Sequence, residues 1–357
     1  MTKCQNLRQR ICSALLGEKP DQIPFTIYEC MLPQCKIERQ LRNQGLCIVN
    51  RSTPVCQAHF KNVNIRAVHS TENGKKLIRT EYETPYGPLC TIVEPAGFTS
   101  WTHKRLFTNA DDYKPLLYLI KSQEFEPNYD AFNKAQELGQ DDIFYRGDID
   151  LEPLQTLVSR YMGAEVFGME WHDNQDEVIK LYEAIVEQHR TIYSICAKSP
   201  GLAFNYGGNV VPEIIGGERF AKYYIPHYNE AAEVLHAKGK LLGVHFDANC
   251  KLFAPYIARS KIDYIEAFTP APDTDMTLAE ARDLWPDKVL WINFPSSVHL
   301  ETHEVIAQTA RDLIRQARYP EKFIMGITED IPVSRWQGNL LTISKVLNEE
   351  SALFCAI

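Results

Sequence analysis

From about residue 141 onward the chain alternates short apolar runs with stretches of helical periodicity, and few folds accommodate that pattern. The runs are IFYRGD (143–148), AEVFGMEW (164–171), LAFNYGG (202–208), LLGVHFD (241–247), YIEAF (264–268), VLWINF (289–294) and FIMGITE (323–329). Between them, residues 176–197 set Val178, Leu181, Ile185, Val186 and Ile192 on one helical face, and 218–237 and 302–318 behave alike. Strands that are apolar almost without interruption are buried on both faces, which is the situation of parallel strands covered by their crossover helices. With IPFTIYE (23–29) the count reaches about eight. That number predicts an α/β fold, a (β/α)8 TIM barrel, with an open doubly wound sheet as the alternative. No strand is followed by GxGxxG or GxxxxGK, so no phosphate cradle is indicated.

Residues 63–95 break the alternation. They show period two around Glu72-Asn73-Gly74, which predicts an antiparallel hairpin turning at Asn73-Gly74 and inserted in the N-terminal third. Such an insertion would rim the barrel mouth or form the contact of a homodimer. No linker composition or internal repeat appears, so 1–357 reads as a single barrel domain carrying that insertion. A net charge of −8 argues against nucleic acid, which asks for a basic face. No apolar run approaches the roughly 20 residues of a membrane span, and MTKCQNLRQRICSALLGEKP is too polar for a signal peptide. A cytoplasmic protein is the expectation. The ten cysteines include no CxxC pair and read as reduced, mostly buried thiols; those from Cys30 to Cys56 are too irregularly spaced for a metal site.

In a barrel of this kind catalytic groups come from the C-terminal ends of the strands. Those ends carry Glu29, Arg146 and Asp148, Glu170 and Trp171, Asn205 and Tyr206, His245 and Asp247, Glu266, Asn293, and Glu329 and Asp330. His245 and Asp247 lie two apart on one strand and therefore share a face. With Glu266 and Glu329 they offer one imidazole and two or three carboxylates, a set that could hold Zn2+ with one position open. The alternative makes His245 a hydrogen-bonded core residue, with the acids capping helices or pairing with Arg146 and Arg335. His299-Leu-Glu-Thr-His303 has the histidine spacing of zinc proteases but lacks the Glu after the first His, and reads as a solvated helix start. Tyr28, Trp101, Trp171, Tyr206 and Phe268 could wall an apolar pocket or simply be core. The turn from Tyr206 to Asn209 is either a tight loop or a close backbone approach to a ligand.

LRQRICSALLGEKPDQIPF, GGERFAKYYIPHYNEAAEVLHAKGKLLGVHFDANCKLFAPYIARSKIDYIEAFTP, LAEARDLWPDKVLWINFP and GITEDIPVSRW resemble the uroporphyrinogen decarboxylase-like superfamily, most densely over residues 200–337. The resemblance implies a (β/α)8 barrel and one of two activities, decarboxylation of uroporphyrinogen or zinc-dependent methyl transfer with corrinoid proteins. The decarboxylases carry arginines after the first strand. Here that place reads IPFTIYECMLPQCK, and a net charge of −8 suits a polycarboxylate poorly. In the methyltransferases a His-x-Cys motif and a later cysteine bind zinc; the matching places are His245-Phe-Asp247 and Thr328 or Glu329. Oxygen donors in place of thiolates make a harder Lewis acid, suited to polarising oxygen.

The resemblance therefore implies a corrinoid-dependent methyltransferase, an O-demethylase component. It would move methyl from a small methoxylated, aromatic substrate to the Co(I) corrinoid of a partner protein. His245, Glu329 and Glu266 would be the zinc ligands, with Glu266 and Asp247 the catalytic acids and Asp247 a ligand or a partner orienting His245. Tyr28, Trp171, Asn205, Tyr206 and Asn209 would contact substrate. The alternatives are methyl transfer from methyl-corrinoid to a small acceptor, a cofactor-free decarboxylase or lyase, and a metal-free barrel that binds a small molecule.

Overall fold

The computed structural model describes residues 4–97 and 99–354, so Cys355 lies outside the described residues. The chain forms two compact units, one of Met1–Val55, Asn128–Asp150 and Cys196–Ile357, the other of Cys56–Pro127 and Leu151–Ile195.

The first unit is built on parallel strands: β1 (Phe25–Tyr28), β2 (Leu46–Asn50), β3 (Ile143–Tyr145 and Gly147–Asp148), β4 (Ala203–Tyr206), β5 (Leu241–His245), β6 (Tyr264–Phe268), β7 (Val289–Asn293) and β8 (Phe323–Ile327). Each strand from β4 to β8 pairs in parallel with the next, β8 pairs with β1, and β1 with β2. The run at 143–148 is interrupted at Arg146. Its first segment pairs with β2 and its second with β4, which closes the ring. The fold is the expected α/β barrel.

Helices return the chain between strands, among them Ile225–His236, Leu278–Leu284 and His303–Ala317. Thr277 and Glu280 form a capping box on the second, and the Thr302 side chain caps the third. Away from the strand C-termini, buried Arg282 donates to the carbonyls of Ala317 (3.0 Å), Lys288 (2.9 Å) and Lys322 (2.8 Å), and Lys288 Nζ donates to those of Ser260 (3.0 Å) and Ile262 (2.8 Å). These cations satisfy loop carbonyls that burial would otherwise leave unpaired.

Two strand assignments differ from the sequence expectation. AEVFGMEW is not a strand but lies in the helix Ala164–Asp173, of which only Phe167 is buried. A short run of Ala, Glu, Phe and Met carries helix propensity, and eight residues cannot separate the two periods. Its place among the eight is taken by β2, LCIVN, a run too short to stand out.

The second unit carries a four-stranded antiparallel sheet, Asn64–Glu72, Lys75–Thr84, Gly87–Ala96 and Thr99–Lys104 in that order, and a pair Cys56–Phe60 with Gln123–Pro127. The hairpin expected over 63–95 is present, and a fourth strand extends it. Asn73 and Gly74 take φ of 49° and 79°, the double left-handed turn that two-residue hairpins favour. The helix Tyr113–Lys121 packs on the second and third strands and buries Leu116, Leu119 and Ile120. Among the described residues no helix is long and apolar enough to cross a membrane.

Candidate active site

Strand periodicity divides the barrel interior into an apolar level and a polar one. Residues two apart share a face, which pairs Thr26 with Tyr28, Phe144 with Arg146, Ala203 with Asn205, Gly243 with His245, Tyr264 with Glu266, and Trp291 with Asn293. The first members pack together. The rings of Phe144 and Tyr264 lie 5.9 Å and 6.1 Å from that of Trp291, whose Nε1 donates to Thr26 Oγ1 at 2.9 Å. Gly243 is required here, because a Cβ would stand 2.0 Å from the Tyr264 ring. The second members lie nearer the C-terminal strand ends and are polar.

Glu266 is the hub of that polar level. It is fully buried, and donors occupy both of its oxygens. Oε1 accepts from the Tyr28 hydroxyl and forms an ion pair with Arg146 Nη1 at 2.9 Å; Oε2 takes Asn205 Nδ2 (2.8 Å) and His245 Nδ1 (2.6 Å). The chain of charges continues outward. Arg146 Nη2 bonds Asp148 Oδ1 at 3.0 Å, and His245 Nε2 faces Asp247 Oδ2 at 3.3 Å. Just after Glu266 the β6–β7 register shifts and Ala267 takes φ 57°, a left-handed conformation that costs energy in a non-glycine residue. Such a bulge re-aims the flanking side chains.

The electrostatics follow from these pairings. Burial alone would raise the Glu266 pKa, but Arg146 and His245 outweigh it and hold the carboxyl far below the usual range. Burial disfavours a charged His245, yet Glu266 and Asp247 push it up to about 10. Burial, then the Glu266 charge, raise the Tyr28 phenol. Beside the hub, the Arg51 guanidinium carbon lies 3.4 Å from the Tyr28 ring centroid, and the Arg51 backbone N–H donates to Glu29 Oε1 at 3.1 Å.

Of the expected site residues, Tyr28, Asn205, His245, Asp247 and Glu266 are brought together. The others lie elsewhere. Tyr206 points to the opposite strand face, its ring 5.7 Å from Tyr228 on the helix Ile225–His236. Asn209 is exposed, with φ 56°, and follows Gly208, where a Cβ would meet the His245 ring at 3.5 Å. Trp171 is on a helix rather than at a strand end, its ring 5.4 Å from Phe167, and Glu170 beside it accepts from the Tyr113 hydroxyl at 2.6 Å. Glu329 accepts from the Ser296 hydroxyl.

The zinc trio of His245, Glu266 and Glu329 is not assembled: among the described residues no three His, Cys, Asp or Glu side chains come together as a metal site. Donors already hold both oxygens of Glu266, and His245 Nε2 with Asp247 makes only two of the three protein ligands that catalytic zinc takes.

Three smaller expectations also change. His299 is not solvated but buried, 5.1 Å from the Phe294 ring, and burial pushes its pKa down to about 4. Arg335 bonds the carbonyls of Leu300 and Glu301 (3.0 Å) rather than an acid. Cys47, Cys90 and Cys250 are buried thiols, but Cys4 and Cys30 are exposed. Arg51 was missed. It directly follows β2, so only reading LCIVN as a strand would have placed it at the barrel mouth.

The fold and this constellation define a TIM-barrel protein with an ion-pair network at the strand C-termini. No protein-family model matches the chain. No curated protein matches it either. Among solved structures, a methyltransferase from Methanosarcina mazei is 10% identical and has a TM-score of 0.58, the match covering 97% of this chain and 99% of that one. A B12-independent methionine synthase from a Shewanella species is 11% identical with a TM-score of 0.47, over 90% of this chain and 87% of that one. The first likeness shows a shared fold along nearly the whole chain.

Proposed function

We propose that this chain is a methyl-transferring enzyme that removes the methyl group of a small methoxylated aromatic compound and delivers it to the Co(I) corrinoid of a separate carrier protein. The fold shared with the Methanosarcina methyltransferase supports the reaction class. The observation that carries the chemistry is the setting of His245. Its Nδ1 is tied to buried Glu266, and its Nε2 turns to Asp247, which is partly exposed. An imidazole held between two carboxylates is an imidazolium, and its outer N–H is a proton donor at the catalytic end of the barrel.

Breaking a CH3–O bond toward an outside nucleophile leaves the bonding electron pair on oxygen, and that oxygen needs stabilisation as its charge develops. His245 Nε2 supplies the proton. Glu266 fixes the ring from behind, and its own bonds to Tyr28, Arg146 and Asn205 keep it an anion that orients the ring rather than a competing base. The Co(I) of a docked carrier would supply the electron pair that takes up the methyl group.

The test is incubation of the whole protein with cob(I)alamin and a panel of methoxybenzenes, methoxyphenols and methoxybenzoates. Methylcobalamin should form with a matching amount of demethylated product, and His245→Gln should slow transfer by about 10²–10⁴-fold, the usual worth of a general acid. Release of CO2 from the carboxylated compounds without demethylation, or no methylcobalamin from any member, would overturn the reading.

A further inference from the structure

We infer that Arg51 is an anchor for a carboxylate, and that the small molecule taken at this barrel mouth is a monocarboxylate. The inference rests on reading the mouth as a substrate site and adds the chemical class of what enters it.

The two arginines beside Tyr28 are held in opposite ways. Arg146 is buried and committed, 2.9 Å from Glu266 and 3.0 Å from Asp148. Arg51 is held by its flat face instead, stacked 3.4 Å over the Tyr28 ring. Its nearest carboxylate, Glu29 Oε2, is 3.8 Å from Nε, beyond hydrogen-bond distance, and Nη2 meets only Cys30 Sγ at 3.9 Å. Nε is buried without a hydrogen-bond partner among the described residues, while the side chain as a whole keeps 31% of its surface. Stacking thus fixes the plane of the guanidinium, and among the described residues no oxygen accepts a hydrogen bond from it.

A planar fork of N–H donors matches the two oxygens of a carboxylate, and a fork already immobilised loses little entropy on binding. The number of charges follows from the same geometry. The charge of Arg146 is already balanced by Glu266 and Asp148, and Glu29 stands beside Arg51, so the mouth accommodates one negative charge and opposes several. Tyr28 links this anchor to the chemistry: its ring carries Arg51, and its hydroxyl bonds Glu266, which holds His245. Two side chains, Tyr28 and Glu266, thus connect the anchor to the proton donor.

Calorimetric titration of the full-length protein with benzoate and with benzamide, its uncharged counterpart of the same shape, tests this. Benzoate should bind about 10–100-fold more tightly, the range expected of hydrogen bonds to a charged group. Arg51→Gln should make the two ligands equal, and Arg51→Lys, which keeps the charge but loses the fork, should recover part of the preference. Equal binding by the unaltered protein, or a preference that survives in Arg51→Gln, overturns the inference. Binding requires no methyl transfer, so failure here and failure of the cobalamin assay are told apart.

Discussion

Glu266 Oε2 stands 2.6 Å from His245 Nδ1, and no solvent reaches the carboxylate. A bond placed there settles which ring nitrogen faces outward, because the carboxylate claims Nδ1 and leaves Nε2 to meet Asp247. Around the pair the charges alternate: Asp148, Arg146, Glu266, His245, Asp247. Such a chain is costly to desolvate and costlier to break, since removing one member strands its neighbours as unpaired buried charges.

Glu266→Gln should therefore destabilise the fold by about 3–5 kcal/mol, the cost of breaking a buried ion pair from one side. Urea unfolding of the variant beside the unaltered protein measures it. A loss near that of an exposed ion pair, below about 1 kcal/mol, would mean that the network is loose in solution.

The same pair sets an alkaline limit. Glu266 and Asp247 face the His245 ring, with Arg146 and Tyr28 behind Glu266, and the ring keeps its proton up to about pH 10 against an ordinary value of 6.5. A raised pKa contributes stability that is fully present below about 6.5 and is lost as pH rises through about 10. With His245 as the proton donor, the rate of methyl transfer should stay level from neutrality to about pH 9 and then fall. In Glu266→Gln the falling limb should move toward neutral pH. A rate that declines across pH 6–8 in the unaltered protein would remove His245 from that role.

The barrel was legible because strands covered on both faces leave continuous apolar runs, and the polar strand ends were legible because period two carries each run into its last inward residue. What local pattern does not contain is who meets whom across the ring. Glu266 on β6 meets Tyr28 on β1 and Arg146 on β3, partners far away in sequence. The same limit applies to Glu329, which stands at the end of β8 as expected but bonds Ser296, and to Tyr206, one residue out of phase with Asn205 and so facing the helices. A one-residue difference in a strand decides between site and core.

Gly243 carries a packing prediction. A methyl group there would stand 2.0 Å from the Tyr264 ring, directly below the hub. Gly243→Ala should destabilise by about 1–3 kcal/mol or more, because an inserted carbon in a filled core displaces its neighbours. Trimming the obstacle in Gly243→Ala with Tyr264→Leu should return part of the loss in thermal or urea unfolding. If the double variant is no better than the sum of its parts, the two residues do not share that space.

His299 sets the acid side of stability. It is buried against Phe294, with Asn339 Nδ2 donating to its carbonyl at 2.9 Å, and burial pushes its pKa down to about 4; Asp273, the charged group acting on it, only partly opposes this. The unfolded chain takes up a proton near pH 6.5 that the folded chain refuses until about pH 4, so stability falls as pH drops through that window. At pH 4.5 the loss from this one group should be about 2–3 kcal/mol relative to pH 7.5, since each pH unit crossed inside the window costs about 1.4 kcal/mol. Unfolding free energies at the two pH values, compared with those of His299→Gln, isolate the contribution, because the amide cannot titrate. The variant should start less stable at pH 7.5, having lost a fitted ring, yet lose less on acidification. An identical acid loss in both proteins would mean that His299 takes up its proton in the folded state as readily as in the unfolded one, and that the acid sensitivity of the fold comes from its carboxylates.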